Sequence, residues 1–296
     1  MSMRLPIKWP GNKLAFASTL ARHAGLKPID RDPVRWTSLF GGGMGEVFGL
    51  LDAGWLRAGD EVVVVEINGA LHNFWGVLES SPGMLHQALM GLPASEGWQG
   101  HYETLRAEYN ARGTARIRRA ALFCWLTRAC LNGFWRENRQ GQMNQSKASY
   151  DVLVMPSLSL LRYRARQLSF LQRHGVPALT HLRNRSSTEL RDVVYADPPY
   201  LPLSRTACFT GYGPIPYTSS DRAQLQEVLL ELAVDADTTV LLSEQSTEAV
   251  KDWPKEVFQR CRLPVLRKGS ALSKGRGVLK EVLLVSRQNL EGKKLL

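Results

Sequence analysis

The stretch Asp197-Pro198-Pro199-Tyr200 places an acid, two prolines and an aromatic ring directly after the apolar run 193–196. The run predicts a buried strand. The turn after it is stiff, because proline lacks an N–H donor and restricts the residue before it. A carboxylate and the Pro198 carbonyl can accept both hydrogens of an exocyclic amine while Tyr200 lies against the ring that carries it. The stretch favours chemistry on a nucleobase amine, with an ordinary proline-rich turn as the alternative.

A glycine-rich segment follows the short β-prone run 35–40 and precedes a predicted helix at 46–51. Strand, glycine turn and helix is an order typical of cofactor sites, because glycines let backbone N–H groups approach a ligand. Gly41, Gly43 and Gly45 fall at every second position and Glu46 stands at the third-glycine site, so a pyrophosphate-binding fingerprint is disfavoured.

Two further segments are candidates for the same site. The apolar run 61–65 predicts a buried strand that ends in Glu66, where such folds bind ribose hydroxyls. A surface glutamate that ends a strand is the alternative. Near the beginning of the chain, Lys8, Trp9 and Lys13 surround a glycine turn before a predicted helix at 14–24. Taken alone, that segment is a weak signal, and a surface loop is the alternative.

Composition limits the class of protein. The chain has 296 residues with 44% hydrophobic content, enough for one large or two smaller domains. The first residues lack an apolar targeting segment and no apolar run reaches membrane-spanning length, so a soluble, cytoplasmic protein is expected. The four cysteines show no metal-binding spacing and are expected to be reduced thiols.

The net charge of +11 is concentrated in one part of the chain. Between Arg106 and Arg191 there are sixteen Lys or Arg residues and four acidic residues, which indicates a polyanion-binding insert. A solvated basic face is the alternative. Strand signals fade between residues 81 and 191. A helix there is expected to present four arginines to phosphates: Arg162, Arg164, Arg166 and Arg173.

A loop at 132–144 within this insert is dense in aromatic, amide and guanidinium groups. Arginine pairs with guanine, and asparagine or glutamine with adenine, in the major groove, so this loop could read base edges. Phe134 or Trp135 could wedge between bases or stack on them. A polar connection between two helices is the alternative.

The α/β pattern resumes at residue 193, with a helix at 219–233, a strand at 240–242 that ends in Ser243-Glu244-Gln245, and a final strand pair at 263–266 and 278–285. The prediction is an α/β fold: a Rossmann-like sheet interrupted by a mostly helical insert. Residues 1–80 and 192–287 would form the catalytic domain, 81–191 the recognition domain and 288–296 a flexible tail. The basic loop 268–277 is either a DNA contact or disordered.

Five motifs in one fixed order carry a family resemblance: Lys8-Trp9-x-Gly11-x-Lys13, Phe40-Gly41-Gly42-Gly43, Glu66-Ile67-Asn68, Asn132-Gly133-x-x-Arg136-x-Asn138 and Asp197-Pro198-Pro199-Tyr200. Together they cover residues 7–285. The chain resembles the Dam family of DNA adenine N6-methyltransferases in the α arrangement, with the cofactor motifs first and the catalytic motif after the insert.

The resemblance implies a cofactor, a partner and roles for particular residues. S-adenosyl-L-methionine would be contacted by Trp9, Lys13, Phe40, Gly41, Gly43, Glu66 and Asp197. The target adenine would be held by Asp197, Pro198, Pro199 and Tyr200. Double-stranded DNA would be contacted by Lys8, Asn132, Phe134, Arg136, Asn138 and Tyr150. No metal is required, and the expected location is the cytoplasm of a bacterial or phage-infected cell.

The chain departs from the family pattern in the recognition region. Leu131 replaces an aromatic residue, Gln145-Ser146-Lys147 replaces a proline-containing stretch, and Ser243-Glu244-Gln245 replaces a typical Ser-Asn pair. GATC and a relaxed target sequence both stay open. An RNA adenine methyltransferase and a DNA-binding protein with a decayed site are alternative functions. A glutamine-amide methyltransferase would carry asparagine where this chain has Asp197.

Overall fold

The computed structural model describes residues 4–200, 217–245, 248–263 and 281–287. Its strands are β1 (Val34–Leu39), β2 (Glu61–Val65), β3 (Leu171–His174), β4 (Arg191–Ala196), β5 (Thr238–Gln245), β6 (Phe258–Leu263) and β7 (Glu281–Ser286). Its helices are α1 (Ala17–His23), α2 (Gly45–Asp52), α3 (Gly69–Ser80), α4 (Pro82–Met90), α5 (Tyr102–Asn110), α6 (Arg116–Ala129), α7 (Leu158–Leu168), α8 (Ala178–Asn184) and α9 (Ser219–Ala233).

The seven strands form one sheet in the order β3-β2-β1-β4-β5-β7-β6. The first five in this order are parallel, and β7 runs antiparallel to both of its neighbours. The strand order reverses between β1 and β4, and such a switch point is where open α/β sheets bind ligands, beyond the carboxyl ends of the strands. The predicted Rossmann-like α/β class is confirmed.

Helices cover both faces of the sheet. One core cluster joins the sheet to α1–α7 around Trp36, Phe48 and Trp75, and a second joins it to α8 and α9 around Leu229. Because β1, β2 and β4 are covered on both sides, all of their residues are buried except the first residues of β2 and β4, which are partly buried. No helix in the described part of the chain is long and apolar enough to cross a membrane.

The sheet extends into the segment predicted to be a helical insert. β3 pairs in parallel with β2, from Val62↔Leu171 to Val65↔His174, so a strand of the sheet lies within residues 81–191, where the strand signals of the sequence fade. The sequence of β3, Leu-Gln-Arg-His, has no apolar run because an edge strand is partly open to solvent. Helix α7, just before β3, packs on α3 and α4, so part of the predicted insert belongs to the sheet layers.

Element bounds agree elsewhere within a few residues. Helix α9 has the predicted bounds and is stabilised by a capping box between Thr218 and Asp221. The helix predicted at 14–24 is a 3₁₀ turn (Leu14–Phe16) followed by α1. The final strand pair is β6 and β7, which are shifted from the predicted bounds. The loop 268–277, the tail 288–296 and Cys208 lie outside the described residues.

Candidate active site and nucleic-acid interface

Three predicted site segments meet at the carboxyl edge of the sheet. Asp197 follows β4, the glycine loop follows β1 and Glu66 follows β2. These strands are adjacent and parallel, with β1 between the other two, so their carboxyl ends open onto one crevice. The sheet thereby brings together motifs that lie far apart in the sequence.

Lys13 joins this edge from the N-terminal segment. Its ammonium donates to the Asp197 carboxylate over 2.7 Å, although the two residues are 184 positions apart. It also donates to the Gly11 carbonyl at 3.1 Å and lies 3.4 Å from the Glu281 carboxylate. Lys13 is only 3% exposed. A cation this well buried requires acceptors, so it belongs to the site and not to a solvated loop.

The Asp197 carboxylate also accepts a hydrogen bond from the Tyr200 hydroxyl, at 3.3 Å. Burial raises the pKa of the Asp197 carboxyl, and the neighbouring Lys13 ammonium opposes that rise. The Glu281 charge raises the same pKa further. Asp197 is therefore a paired carboxylate whose oxygens still have lone pairs to offer a substrate.

Glu66 ties the glycine loop to the end of β2. One carboxylate oxygen accepts from the Gly42 N–H at 2.7 Å and the other from the Asn68 N–H at 2.8 Å. Burial raises the pKa of Glu66, whereas these backbone hydrogen bonds lower it. The Asn68 side chain in turn caps α3 through Ala70 and Leu71. Glu66 is therefore held in a fixed orientation before any ligand arrives.

Trp9 packs against the backbone of the glycine loop and is almost fully buried. A Cβ at Gly42 would stand 2.9 Å from Trp9 Nε1, and one at Gly43 would stand 2.8 Å from Trp9 Cβ. Gly42 also has a positive φ of 49°. Larger residues would push the loop away from Trp9, so these glycines are required by close packing. Direct contact between Trp9 and a cofactor stays a prediction.

Phe40 begins the same loop in the left-handed region, with φ 59°. A large non-glycine residue in this region is uncommon and marks a constrained turn. Its ring contacts Tyr217 edge-to-face, with 5.8 Å between centroids. The two rings form an aromatic wall next to the loop.

Glu46 is a buried acid that the sequence analysis did not count among the site residues. It lies in the first turn of α2, is 5% exposed and accepts a hydrogen bond from the Ser38 hydroxyl. Burial raises its pKa to about 7, with a smaller contribution from the Asp197 charge. One feature of the sequence indicates this residue: Glu46 stands directly after the glycine loop, at the position where a dinucleotide-binding fingerprint would have its third glycine.

Lys8 connects the N-terminal segment to the recognition loop. Its ammonium donates to the Tyr150 hydroxyl at 2.7 Å and lies 4.6 Å from the centre of that ring. Its aliphatic stem packs on Gly133, where a Cβ would stand 2.8 Å from Lys8 Cγ. Gly133 and Asn132 both have positive φ. Three of the predicted DNA-binding residues thus form one surface: Lys8, Asn132 and Tyr150.

The other predicted base-reading residues lie on a short hairpin closed by a bridge between Glu137 and Met143. Arg136 is exposed, and its guanidinium donates to the Asn144 side chain at 2.8 Å. The Asn138 side chain accepts from the N–H groups of residues 140 and 142, both at 2.9 Å, so it shapes the hairpin turn. Phe134 is partly buried at the base of the hairpin.

Three predicted nucleic-acid contacts have structural roles instead. Trp135 is fully buried, with its ring 4.6 Å from that of Phe123, so it anchors the hairpin and cannot stack on bases. Arg164 is buried in an ion pair with Asp52 at 2.7 Å. Arg173 lies on β3 instead of a helix and pairs with Glu79. Only Arg162 and Arg166 of that predicted phosphate-binding set are exposed.

A Rossmann-like sheet whose carboxyl edge carries a glycine loop and a buried acid is typical of α/β enzymes that bind a ligand at the switch point. Comparison with known proteins makes this assignment specific. The model of the D12 class N6 adenine-specific DNA methyltransferases matches residues 9–268, so the chain belongs to this family.

Curated relatives align along almost the whole chain. The DNA adenine methylase of Serratia marcescens is 28% identical over 95% of this chain and 97% of its own length. That of Escherichia coli K12 is 28% identical over 93% and 91% of the two chains. The rRNA methyltransferase AviRa of Streptomyces viridochromogenes aligns over 96% and 88% with a TM-score of 0.39 and 16% identity, which is too low to support an inference about activity. The protein is an enzyme that methylates adenine in DNA.

Proposed function

We propose that the protein transfers the methyl group of S-adenosyl-L-methionine to N6 of an adenine that has left the stack of double-stranded DNA. The observation that carries this proposal is the Lys13–Asp197 pair at the switch point. It brings the predicted cofactor motif and the predicted catalytic motif into contact. The expected place of action is the cytoplasm of a bacterial or phage-infected cell.

The residues at the switch point suit this cofactor. Each Glu66 oxygen accepts one backbone N–H and keeps a lone pair for a ribose hydroxyl. The glycine loop and the start of α2 face the same crevice, where backbone N–H groups can approach a ligand. The Asp197 carboxylate supplies negative charge that complements a sulfonium cation. S-adenosyl-L-methionine supplies an electrophilic methyl group there.

Asp197 has the role of amine acceptor. The adenine N6 lone pair is delocalised into the ring, so the amine is a weak nucleophile. If the Asp197 carboxylate and the Pro198 carbonyl accept its two hydrogens, the nitrogen becomes more pyramidal and its lone pair is freed for attack. The carboxylate also stabilises the positive charge that develops on N6, which lowers the energy of the transition state.

Tyr200 and Pro199 shape the pocket for the base. Removing a base from the duplex costs a few kcal/mol, and stacking on Tyr200, worth about 1–3 kcal/mol, offsets part of this cost. The Tyr200 hydroxyl bonded to Asp197 orients the ring next to the acceptor. Pro199 stiffens the turn between the two functional groups.

The surface formed by Lys8, Asn132 and Tyr150, together with the hairpin that carries Arg136 and Asn138, is the proposed DNA interface. Exposed guanidinium and amide groups at the hairpin suit base edges in the major groove. The Lys8 ammonium, held by Tyr150, suits a phosphate. Through Gly133 this surface adjoins the segment that carries Lys13, so DNA binding and the active site are close along the chain.

The test uses purified protein with S-adenosyl-L-methionine and matched duplex DNA or RNA, followed by mass spectrometry of N6-methyladenine. Wild type is expected to methylate duplex DNA, and Asp197→Ala to lose activity by at least about 100-fold, because a charged acceptor at the reacting amine is gone. Asp32→Ala, which removes an exposed acid, is the matched control and is expected to keep wild-type activity.

Near-normal turnover by Asp197→Ala would refute the proposed mechanism. Methylation of RNA in preference to duplex DNA would refute the proposed substrate. Mapping the methylated adenines by sequence context in the same samples distinguishes specificity for GATC from a relaxed target sequence.

A further inference from the structure

Glu281 is a buried acid at the active-site edge that neither the motifs nor the proposed mechanism uses. It is the first residue of β7, which runs antiparallel to β5, so the beginning of β7 lies where the parallel strands end. Its backbone pairs with Gln245 on one side and Leu263 on the other. The residue is only 2% exposed. A carboxylate is costly to bury at such a position, where an apolar residue would pack at no comparable cost.

Lys13 connects Glu281 with the catalytic acid. Among the described residues, the Lys13 ammonium donates hydrogen bonds to Asp197 at 2.7 Å and to the Gly11 carbonyl at 3.1 Å, and it forms an ion pair with Glu281 at 3.4 Å. The ammonium is thus held between two carboxylates, one just after β4 and one at the beginning of β7, and β5 separates these two strands in the sheet. Lys13 itself lies at the start of the 3₁₀ turn that precedes α1.

Sharing one ammonium between two acids changes what each acid can do. If Asp197 held Lys13 alone, the cation would compete fully with a substrate amine for the carboxylate electrons. A second carboxylate on the ammonium offsets part of its field and fixes its position. Asp197 then keeps its charge while remaining a strong hydrogen-bond acceptor.

We propose that Glu281 is a positioning residue that holds Lys13 and shares its charge, so that Asp197 remains an effective acceptor for the target amine. This proposal rests on the proposed function, in which Asp197 accepts the amine. Glu281 acts through Lys13 and has no role in contacting substrate.

Among the described residues, the charged and titratable groups that face Asp197 come from several neighbouring elements. Lys13 faces it from the N-terminal segment, Glu281 from β7, Glu46 from α2, Tyr195 from β4 and Tyr200 from the turn itself. Among them the Glu281 charge raises the pKa of Asp197 and Lys13 lowers it. Loss of the Glu281 charge therefore shifts the pKa of Asp197 downward.

The test compares wild type with Glu281→Gln, which keeps the volume and removes the charge, in single-turnover methylation of duplex DNA across pH. The rate constant is expected to fall by about tenfold, the effect of losing one oriented charge contact, with DNA and cofactor affinities nearly unchanged. The acid limb of the rate profile is expected to move to lower pH, which a purely structural role would not produce. Glu256→Gln, an exposed acid before β6, is the matched control.

Glu281→Asp keeps the charge and withdraws the carboxylate by one methylene. It is expected to slow methyl transfer while its acid limb stays at the wild-type pH. If Glu281→Gln does not fold, Glu281→Asp provides the test. A wild-type rate constant for Glu281→Asp then overturns the proposal. A wild-type rate and acid limb for a folded Glu281→Gln overturns it as well. If Asp197→Ala is inactive in the same assay, the proposed function survives that outcome.

Discussion

Asp197 and Glu46 are both buried, and burial raises the pKa of each, but the two acids have different partners. Asp197 keeps an ion pair with Lys13 at 2.7 Å, so its charged form is compensated. Glu46 accepts from the Ser38 hydroxyl, and burial raises its pKa to about 7. The ion pair with Lys13 thus stabilises the charged form of Asp197, which can accept hydrogen bonds. Glu46, by contrast, holds a proton through much of the acidic range.

Glu46 should give folding stability a measurable pH dependence. Its folded-state pKa of about 7 lies above its ordinary value of 4.5, so the folded protein binds this proton more tightly. The stabilisation is fully present below the ordinary pKa and is lost as the pH rises through the folded-state pKa, an effect on the order of 3 kcal/mol. In Glu46→Gln the free energy of unfolding should fall less steeply over this window, measured by urea denaturation.

Glu96→Gln, at an exposed position, is the control and should keep the wild-type slope. Superimposable pH profiles for Glu46→Gln and wild type would contradict the assignment of a raised pKa to Glu46.

At the scale of elements, the recognition hairpin is a rigid platform with a polar tip. Trp135 anchors its base in the aromatic core against Phe123. Asn110 of α5 binds Met143 through both its donor and its acceptor, each at 2.9 Å. The side chains that remain exposed along the hairpin, such as Arg136, are thus presented on fixed backbone, which suits base recognition.

Arg136→Ala should alter target preference more than cofactor binding. The exposed guanidinium is the strongest candidate for a bidentate base contact, so its loss should cost about 1–3 kcal/mol of discrimination at one position. The measurement compares methylation rates over a set of adenine contexts with the calorimetric affinity for S-adenosyl-L-methionine. Arg162→Ala, an exposed arginine on α7, should leave the preference unchanged. Unchanged preference together with weakened cofactor binding in Arg136→Ala would count against this role.

At the scale of the whole molecule, much of the positive charge in the basic segment is already paired. Arg106, Arg118, Arg164, Arg173 and Arg185 all form ion pairs with carboxylates. The count of sixteen basic residues against four acids therefore overstates the charge available to DNA. The exposed cations near the hairpin are the ones expected to displace counterions from phosphates.

DNA affinity should fall steeply as the salt concentration rises. Each exposed cation that contacts a phosphate should contribute about one to the slope of log Kd against log salt. Arg139→Gln, on the hairpin, should reduce the slope of log Kd against log salt by about one. Lys255→Gln, exposed before β6 at the far edge of the sheet, should leave the slope unchanged. Fluorescence anisotropy with a labelled duplex over a salt series gives both values. Equal slopes for all three proteins would show that the hairpin does not contact phosphates.

The sequence by itself determined the features that depend on local pattern. Continuous apolar runs identified β2 and β4, an apolar stripe identified α9, and the order of the motifs predicted the family. These patterns can be recognised in the sequence alone because strand burial, helix capping and turn chemistry depend on a few neighbouring residues.

Only the tertiary structure decided which polar side chains are used inside the protein. Arg164 and Trp135 resemble DNA contacts in the sequence, but their partners Asp52 and Phe123 are reached only through folding. Glu281 carries no motif and gains a role because β7 returns antiparallel to the active-site edge. A charge or a ring can pair across any separation along the chain, so its partner is set by the arrangement of the sheet and not by its neighbours in the sequence.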